Sequence, residues 1–196
     1  MDIHAIESFC DRWVDKAQAY RSDELEDLFD RFFTLFVAYN RFYSTAADLY
    51  RGTRDPKEAP MLQGDRREAT TIMSRLIGPR RFSDVVQERP EIAGSCETIS
   101  ELLHNRQFFL HSTRGTKAPD LLRDAKLADD LRRYALLAVL ECLYQIRCNI
   151  FHGEKEFAPR QARLLVPAIT LLECIVQLSR DALREIASQH RGLDGR

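Results

Sequence analysis

The sequence is 196 residues long, which suits one domain with a hydrophobic core of its own and argues against two full domains. Its 29 Lys and Arg residues nearly balance its 30 Asp and Glu residues, giving a formal net charge of -1. That balance excludes a uniformly basic, histone-like protein, so any contact with nucleic acid has to come from a local patch.

The cysteines and the N-terminus bear on the cellular compartment. There are five cysteines, an odd number without a C-x-x-C pair, and they predict no disulfide framework and a reducing environment. The N-terminal residues include acidic side chains rather than a basic region followed by an apolar one, and we expect no apolar run long enough to cross a bilayer. We therefore expect a cytoplasmic protein that makes no membrane contact.

Helical periodicity dominates the first half of the chain. Apolar residues recur every three or four positions from Ile3 to Ala19 and predict a first helix. A second helix is predicted from Ser22 to about Tyr50, with acidic residues in its first turn and apolar residues on more than one face. Gly and Pro between Arg51 and Gly64 predict a loop, after which a weak helical pattern over Asp65–Ile77 ends at Gly78-Pro79.

The second half of the chain predicts longer helices. Ser95 is a candidate N-cap for a helix that ends before Gly115. The sequence from Pro119 leads into a long run to Ile150 that is apolar almost all round and is therefore predicted to be buried. Pro159 can begin a last helix that runs to about Ser188. Pro167 should either bend this helix or mark its true start.

The predicted architecture is an all-α helical bundle. No segment alternates apolar and polar residues over a strand's length, so we expect no sheet. We predict a single domain over residues 1–196, with four to six bundle helices and an inserted irregular or helical segment at about 51–94.

The stretch Q-I-R-C-N-I-F-H-G-E-K, residues 145–155, places Arg147, Asn149 and His152 at the end of the buried helical run. Arg147 offers a permanent forked charge for a phosphate, and a histidine at a helix C-terminus suits proton transfer near neutral pH. Gly153 is expected to end the helix in a left-handed conformation, which would let His152 turn toward Arg147 despite the five-residue spacing. With Asn149 orienting the histidine or binding a phosphate oxygen, these residues could cleave RNA without a metal.

The spacing Arg147-x4-His152, in R-C-N-I-F-H-G-E-K, resembles the R-x4-6-H signature of the HEPN superfamily, in particular its ApeA-like, RNase-type domains. The resemblance implies a helical bundle that dimerises, so that Arg and His from two protomers converge on one composite site. It implies Arg147 and His152 as the catalytic pair of a metal-independent RNase. A polar residue often follows the Arg in that family; here Cys148 does, which leaves the auxiliary role to Asn149.

The expected function is therefore a metal-independent endoribonuclease that cleaves single-stranded RNA by attack of the 2′-hydroxyl, in a toxin, antiviral-defence or stress role. The expected partners are a second copy, the RNA, and an antitoxin or a nucleotidyltransferase. We expect no cofactor and no metal, because no set of His, Cys and carboxylate residues has metal-ligand spacing. The alternative functions are a non-catalytic HEPN-like module that binds RNA, nucleotide or a protein, and a structural helical adaptor.

The residues of the motif also have simpler interpretations. His152 could cap the helix end, Arg147 could pair with Glu141 or Glu154, and Asn149 could satisfy a loop carbonyl. These interpretations require no ligand and are typical of helix ends.

Other basic residues raise the same choice between function and solvation. Arg106-x4-His111 has the same spacing, but we predict that it lies within an amphipathic helix rather than at a helix end. Lys155 and Arg160 could bind RNA phosphates or be solvated. The arginines between residues 51 and 81 could face RNA, although acidic residues interleave with them and favour a solvated surface equally.

Overall fold

The structure, a computed structural model, describes residues 2–53, 64–151 and 158–193, and the side chains of 2–52, 64–150 and 158–189. Within these ranges the chain forms eight helices and no strand, which confirms the predicted all-α bundle. The helices are α1 (Ile3–Gln18), α2 (Leu25–Thr53), α3 (Asp65–Arg67, π-helical Glu68–Ile72 and Met73–Ile77), α4 (Pro79–Glu88), α5 (Pro90–His104), α6 (Leu121–Arg132), α7 (Leu136–Phe151) and α8 (Ala162–Leu193).

Helix α2 lies at the centre of the bundle and packs against α1, α3 and α8. Four of the largest fully buried side chains belong to it: Phe32, Tyr39, Phe42 and Tyr43. The hydroxyl of Tyr39 donates a hydrogen bond to the carbonyl of Ala69 in the π-helical part of α3, which also packs against α7. The start of α3 is thereby fixed between α2 and α7.

The described part of the middle segment is helical except at Gly64, Gly78 and Arg89. Gly78 has a φ of +84°, which a glycine adopts readily and which lets the chain turn between α3 and α4. Ile72, Met73 and Phe82 belong to the same hydrophobic core as the bundle helices. The described part of this segment is therefore integrated into the core.

Some predicted helix boundaries were wrong. Ser95 does not cap a helix but lies inside α5, where its hydroxyl donates to the Glu91 carbonyl at 2.7 Å. The helix begins instead at Pro90, whose missing N–H costs nothing in a first turn, and it ends at His104. The long run toward α7 is interrupted at Tyr134, which has a φ of +55° between α6 and α7.

The last helix extends on both sides of Pro167, so this residue does not mark its start. A 3-10 turn, Pro159–Gln161, precedes it. The stretch Pro159–Gln189 is long and apolar enough to cross a membrane, and 67% of its most apolar 18-residue window is buried inside the protein. The expectation that no apolar run is long enough to cross a bilayer was therefore wrong. The buried core helix of a soluble protein can have the same length and composition.

Candidate functional site

Arg147 lies near the end of α7 with its guanidinium against two aromatic rings. Its Cζ atom is 5.7 Å from the centroid of Phe36 and 5.9 Å from that of Tyr144, within the range of a cation–π contact. Its Nη1 atom donates to Oδ2 of Asp65 at 3.4 Å, and 26% of the side chain is exposed. The guanidinium is thus held in place and still reachable from solvent.

Asp65, the first residue of α3, is the centre of this arrangement. The hydroxyl of Tyr43 donates to its Oδ1 atom at 2.5 Å, and the hydroxyl of Tyr144 donates to Oδ2 at 3.0 Å. We call Tyr43, Asp65, Tyr144 and Arg147 the Asp65 cluster. Sequence reasoning missed this cluster, because its members come from three helices and no local pattern joins them.

The contacts of the Asp65 cluster fix its charges. Burial, together with the hydrogen bond to Asp65, raises the pKa of Tyr43 and of Tyr144 well above the usual range. Burial lowers the pKa of Arg147, but its hydrogen bond to the Cys148 thiol and the charge of Asp65 outweigh that effect and raise it overall. At neutral pH the two phenols are therefore neutral donors beside a charged guanidinium.

Asn149 is buried, with 5% of its surface exposed, and both ends of its amide are engaged. Its Nδ2 atom donates to the carbonyl of Leu110 at 3.0 Å, and its Oδ1 atom accepts from Gln145 at 2.8 Å. Residues two apart on a helix lie about 200° apart around its axis, so Asn149 faces away from Arg147. The simpler interpretation, an amide that satisfies a loop carbonyl, is confirmed, whereas the auxiliary catalytic role stays a prediction.

Replacing Asn149 with Ala should lower the free energy of unfolding by about 1–3 kcal/mol, because the Leu110 carbonyl loses its partner in the interior. The truncation also enlarges a cavity of about 10 Å³ that Asn149 lines. Urea denaturation measures the change, with the exposed Asn105→Ala as control. Unchanged stability together with lost RNA cleavage would instead assign Asn149 to catalysis.

Of the remaining residues of the predicted site, the structure describes only Arg160. His152 and Lys155 lie outside the described residues, as do Gly153 and Glu154. Arg160 is exposed in the 3-10 turn that precedes α8. The predicted approach of His152 to Arg147 therefore stays a prediction.

Glu141 is one of the two partners that the simpler interpretation gave to Arg147. It forms an ion pair with Arg66 of α3 instead. Ion pairs also engage other arginines of the middle segment, which favours a charge-balanced surface there over an RNA-facing one. The pairs are Arg51 with Asp48 and Glu68, and Arg81 with Glu185.

The second R-x4-H match does not form a joint site. Our prediction that it lies within a helix was wrong, because α5 ends at His104 and Arg106 is exposed in the following loop with a φ of +55°. His111 is buried, and its Nδ1 atom lies 2.7 Å from Oδ1 of Asp124. Among the described residues, none bonds to its Nε2 atom. The Arg106 side chain therefore faces solvent while that of His111 lies in the core, and the two do not share a site.

Cys148 should be the fastest-reacting thiol of the native protein. It is half-buried, whereas the other four cysteines are buried. Burial raises the pKa of Cys10 and Cys96 to about 12 and that of Cys174 to about 11, and it also raises that of Cys142. At about pH 8, 5,5′-dithiobis(2-nitrobenzoate) should therefore modify one thiol rapidly, and all five only in denaturant. Cys148→Ser is the control, and rapid reaction of a second native thiol would contradict the expectation.

A separate groove of about 620 Å³ lies between α5 and the start of α8. Its lining includes Glu91, Thr98, Arg163 and Val166, but no member of the Asp65 cluster. Within the described ranges, no group of three His, Cys, Asp or Glu side chains could hold a metal ion.

The fold and the Asp65 cluster together define an all-α bundle in which a tyrosine-bound carboxylate and two aromatic rings hold a partly exposed arginine. Comparison with known protein families, curated proteins and solved structures finds no match.

Proposed function

We propose that this chain is a metal-independent endoribonuclease that cleaves single-stranded RNA as a homodimer, the activity that its resemblance to the HEPN superfamily implies. Arg147 and His152 are the proposed catalytic pair. The observation that supports the proposal most is the environment of Arg147, which lies near the end of a buried helix and five residues before His152. Two aromatic rings and the Asp65 carboxylate hold its charged guanidinium in place. A preoriented guanidinium suits a phosphodiester, which it can bind through two parallel hydrogen bonds.

In the proposed reaction the ribose 2′-oxygen forms a bond to the adjacent phosphorus and the bond to the 5′-oxygen breaks. His152 accepts the proton of the 2′-hydroxyl, and the imidazole of the second copy protonates the leaving 5′-oxygen. Arg147 stabilises the negative charge that grows on the non-bridging oxygens. The products are a 2′,3′-cyclic phosphate and a 5′-hydroxyl, and no metal takes part.

The test is incubation of the purified protein with single-stranded RNA in excess EDTA. We expect cleavage with 2′,3′-cyclic phosphate ends, and a loss of about 10²- to 10⁴-fold in rate for His152→Ala. His104→Ala, which removes an exposed histidine of α5, is the matched control. An inactive wild-type protein, or equal cleavage by His152→Ala, would refute the proposal, and so would a protein that sediments as a monomer while it cleaves.

The second candidate is a non-catalytic module that binds RNA, nucleotide or a protein partner. It is favoured by Cys148, which stands where the family often has a polar residue, and by the structural bonds of Asn149. It predicts RNA binding that His152→Ala leaves unchanged, and no cyclic phosphate. For either candidate, a toxin, defence or stress role with an antitoxin or nucleotidyltransferase as partner rests on the resemblance alone.

A further inference from the structure

Among the described residues, the Asp65 carboxylate has three side-chain partners, and their hydrogen bonds differ in strength. The hydroxyls of Tyr43 and Tyr144 donate to its carboxylate at 2.5 Å and 3.0 Å, whereas Nη1 of Arg147 lies 3.4 Å away. Charge-assisted N–H···O bonds are usually about 2.7–2.9 Å long, so the arginine contact is the weakest of the three. The carboxylate therefore keeps its position and two hydrogen bonds when the guanidinium moves away.

The guanidinium is equally independent of Asp65. It retains its contacts with the rings of Phe36 and Tyr144, and 26% of the Arg147 side chain is exposed to solvent. Asp65 is more open still, with 48% of its side chain exposed. Separating the two charges thus leaves neither of them unpaired in a dry interior, which is the situation that makes breaking an ion pair costly.

We propose that Asp65 is a positioning residue that holds Arg147 in the free protein and is exchanged there for a phosphodiester of the RNA. This inference rests on the proposed function, because it names the phosphodiester as the anion that Arg147 receives. The exchange replaces one anionic partner of Arg147 with another. Asp65 remains close to the bound phosphate, so its charge opposes binding and limits the affinity for RNA.

The experiment measures the Kd of a fluorescent 2′-O-methyl oligoribonucleotide, which cannot be cleaved through its 2′-oxygen, by fluorescence anisotropy at fixed salt. Asp65→Asn should bind it roughly threefold to tenfold more tightly, since a partly exposed opposing charge is removed. The matched control is Asp130→Asn on α6, which removes the same charge from an ion pair with Arg133, the residue after the end of that helix. It should leave the Kd within about twofold of the wild-type value.

Tyr144→Phe provides a variant with the opposite expected sign. It keeps the ring beneath Arg147 but removes one hydroxyl from Asp65, which then depends more on the guanidinium. The Kd should rise roughly twofold to fivefold, and this effect should vanish in the Asp65→Asn background because the two residues act through one contact. A merely structural role would weaken binding in both single variants.

The outcomes separate this inference from the proposed function. Unchanged or weaker binding by folded Asp65→Asn overturns the inference, while cleavage by the wild type that depends on His152 leaves the nuclease standing. Tighter binding by Asp65→Asn without any cleavage supports the exchange and overturns the nuclease. Absence of binding by both proteins together with absence of cleavage by the wild type overturns both. If Asp65→Asn unfolds at the assay temperature, an unchanged Kd for Tyr144→Phe overturns the inference.

Discussion

Replacing Arg147 with Ala is expected to lower kcat/KM for RNA cleavage by about 10²- to 10³-fold, the usual effect of removing one donor that stabilises transition-state charge. Arg147→Lys keeps the charge but loses the fork and its stacking on Phe36, so it should recover only part of the rate. Initial rates on a fluorogenic RNA in EDTA measure both changes. Melting temperatures confirm that the variants are folded.

Arg106→Gln is the matched control, because Arg106 begins the other R-x4-H match and is exposed in a loop. It should retain full activity, since its histidine is buried against Asp124. Equal losses in Arg106→Gln and Arg147→Ala would point to general electrostatic attraction of RNA. Full activity of Arg147→Ala would exclude it from catalysis altogether.

Local signals were sufficient to predict much of the fold. Helix α1 was predicted to within one residue of its end, because its apolar stripe stops where the chain turns toward α2. Gly78 was predicted to end α3, and its φ of +84° is a conformation that other residues rarely adopt. Periodicity and helix-ending residues act over a few positions, so the sequence alone reveals them.

Where two local signals competed, the sequence did not decide between them. Ser95 and Pro90 both suit a helix start, and the structure uses the proline. Leu110 continues the apolar spacing of α5 although the helix ends at His104, because this leucine enters the core from a loop. An apolar residue at helical spacing therefore predicts burial more securely than it predicts helix.

In the candidate site, too, local sequence patterns predict some features and not others. The position of Arg147 near the end of a buried helix follows from its neighbours in sequence. Its contact with Asp65 joins residues 82 positions apart, and the bond from Tyr43 to Asp65 spans 22. Such contacts depend on how helices pack, which no short pattern encodes. The orientation of Asn149 away from Arg147, by contrast, was implicit in the helical repeat.

Replacing Asp124 with Ala is expected to lower the free energy of unfolding by about 3–5 kcal/mol, because three buried hydrogen-bonding groups lose their partner. Asp124 on α6 is 2% exposed and accepts hydrogen bonds from the backbone N–H of Leu110 at 3.0 Å and of His111 at 3.2 Å. It also pairs with Nδ1 of His111 at 2.7 Å. In Asp124→Ala, all three groups would be left in the core without this partner. Urea denaturation measures the resulting loss of stability.

Asp129→Ala, on the exposed face of the same helix, should change stability by no more than about 0.5 kcal/mol. Asp124→Asn keeps an acceptor oxygen and should fall between the two variants. A loss below about 1 kcal/mol for Asp124→Ala would mean that water replaces the carboxylate and that the site is less enclosed than its burial indicates. Because Leu110 also accepts a hydrogen bond from Asn149, Asp124 steadies the end of α7 that carries Arg147. Any loss of RNA cleavage in Asp124→Ala should therefore follow the folded fraction as temperature rises, whereas the loss in Arg147→Ala should persist in the fully folded protein.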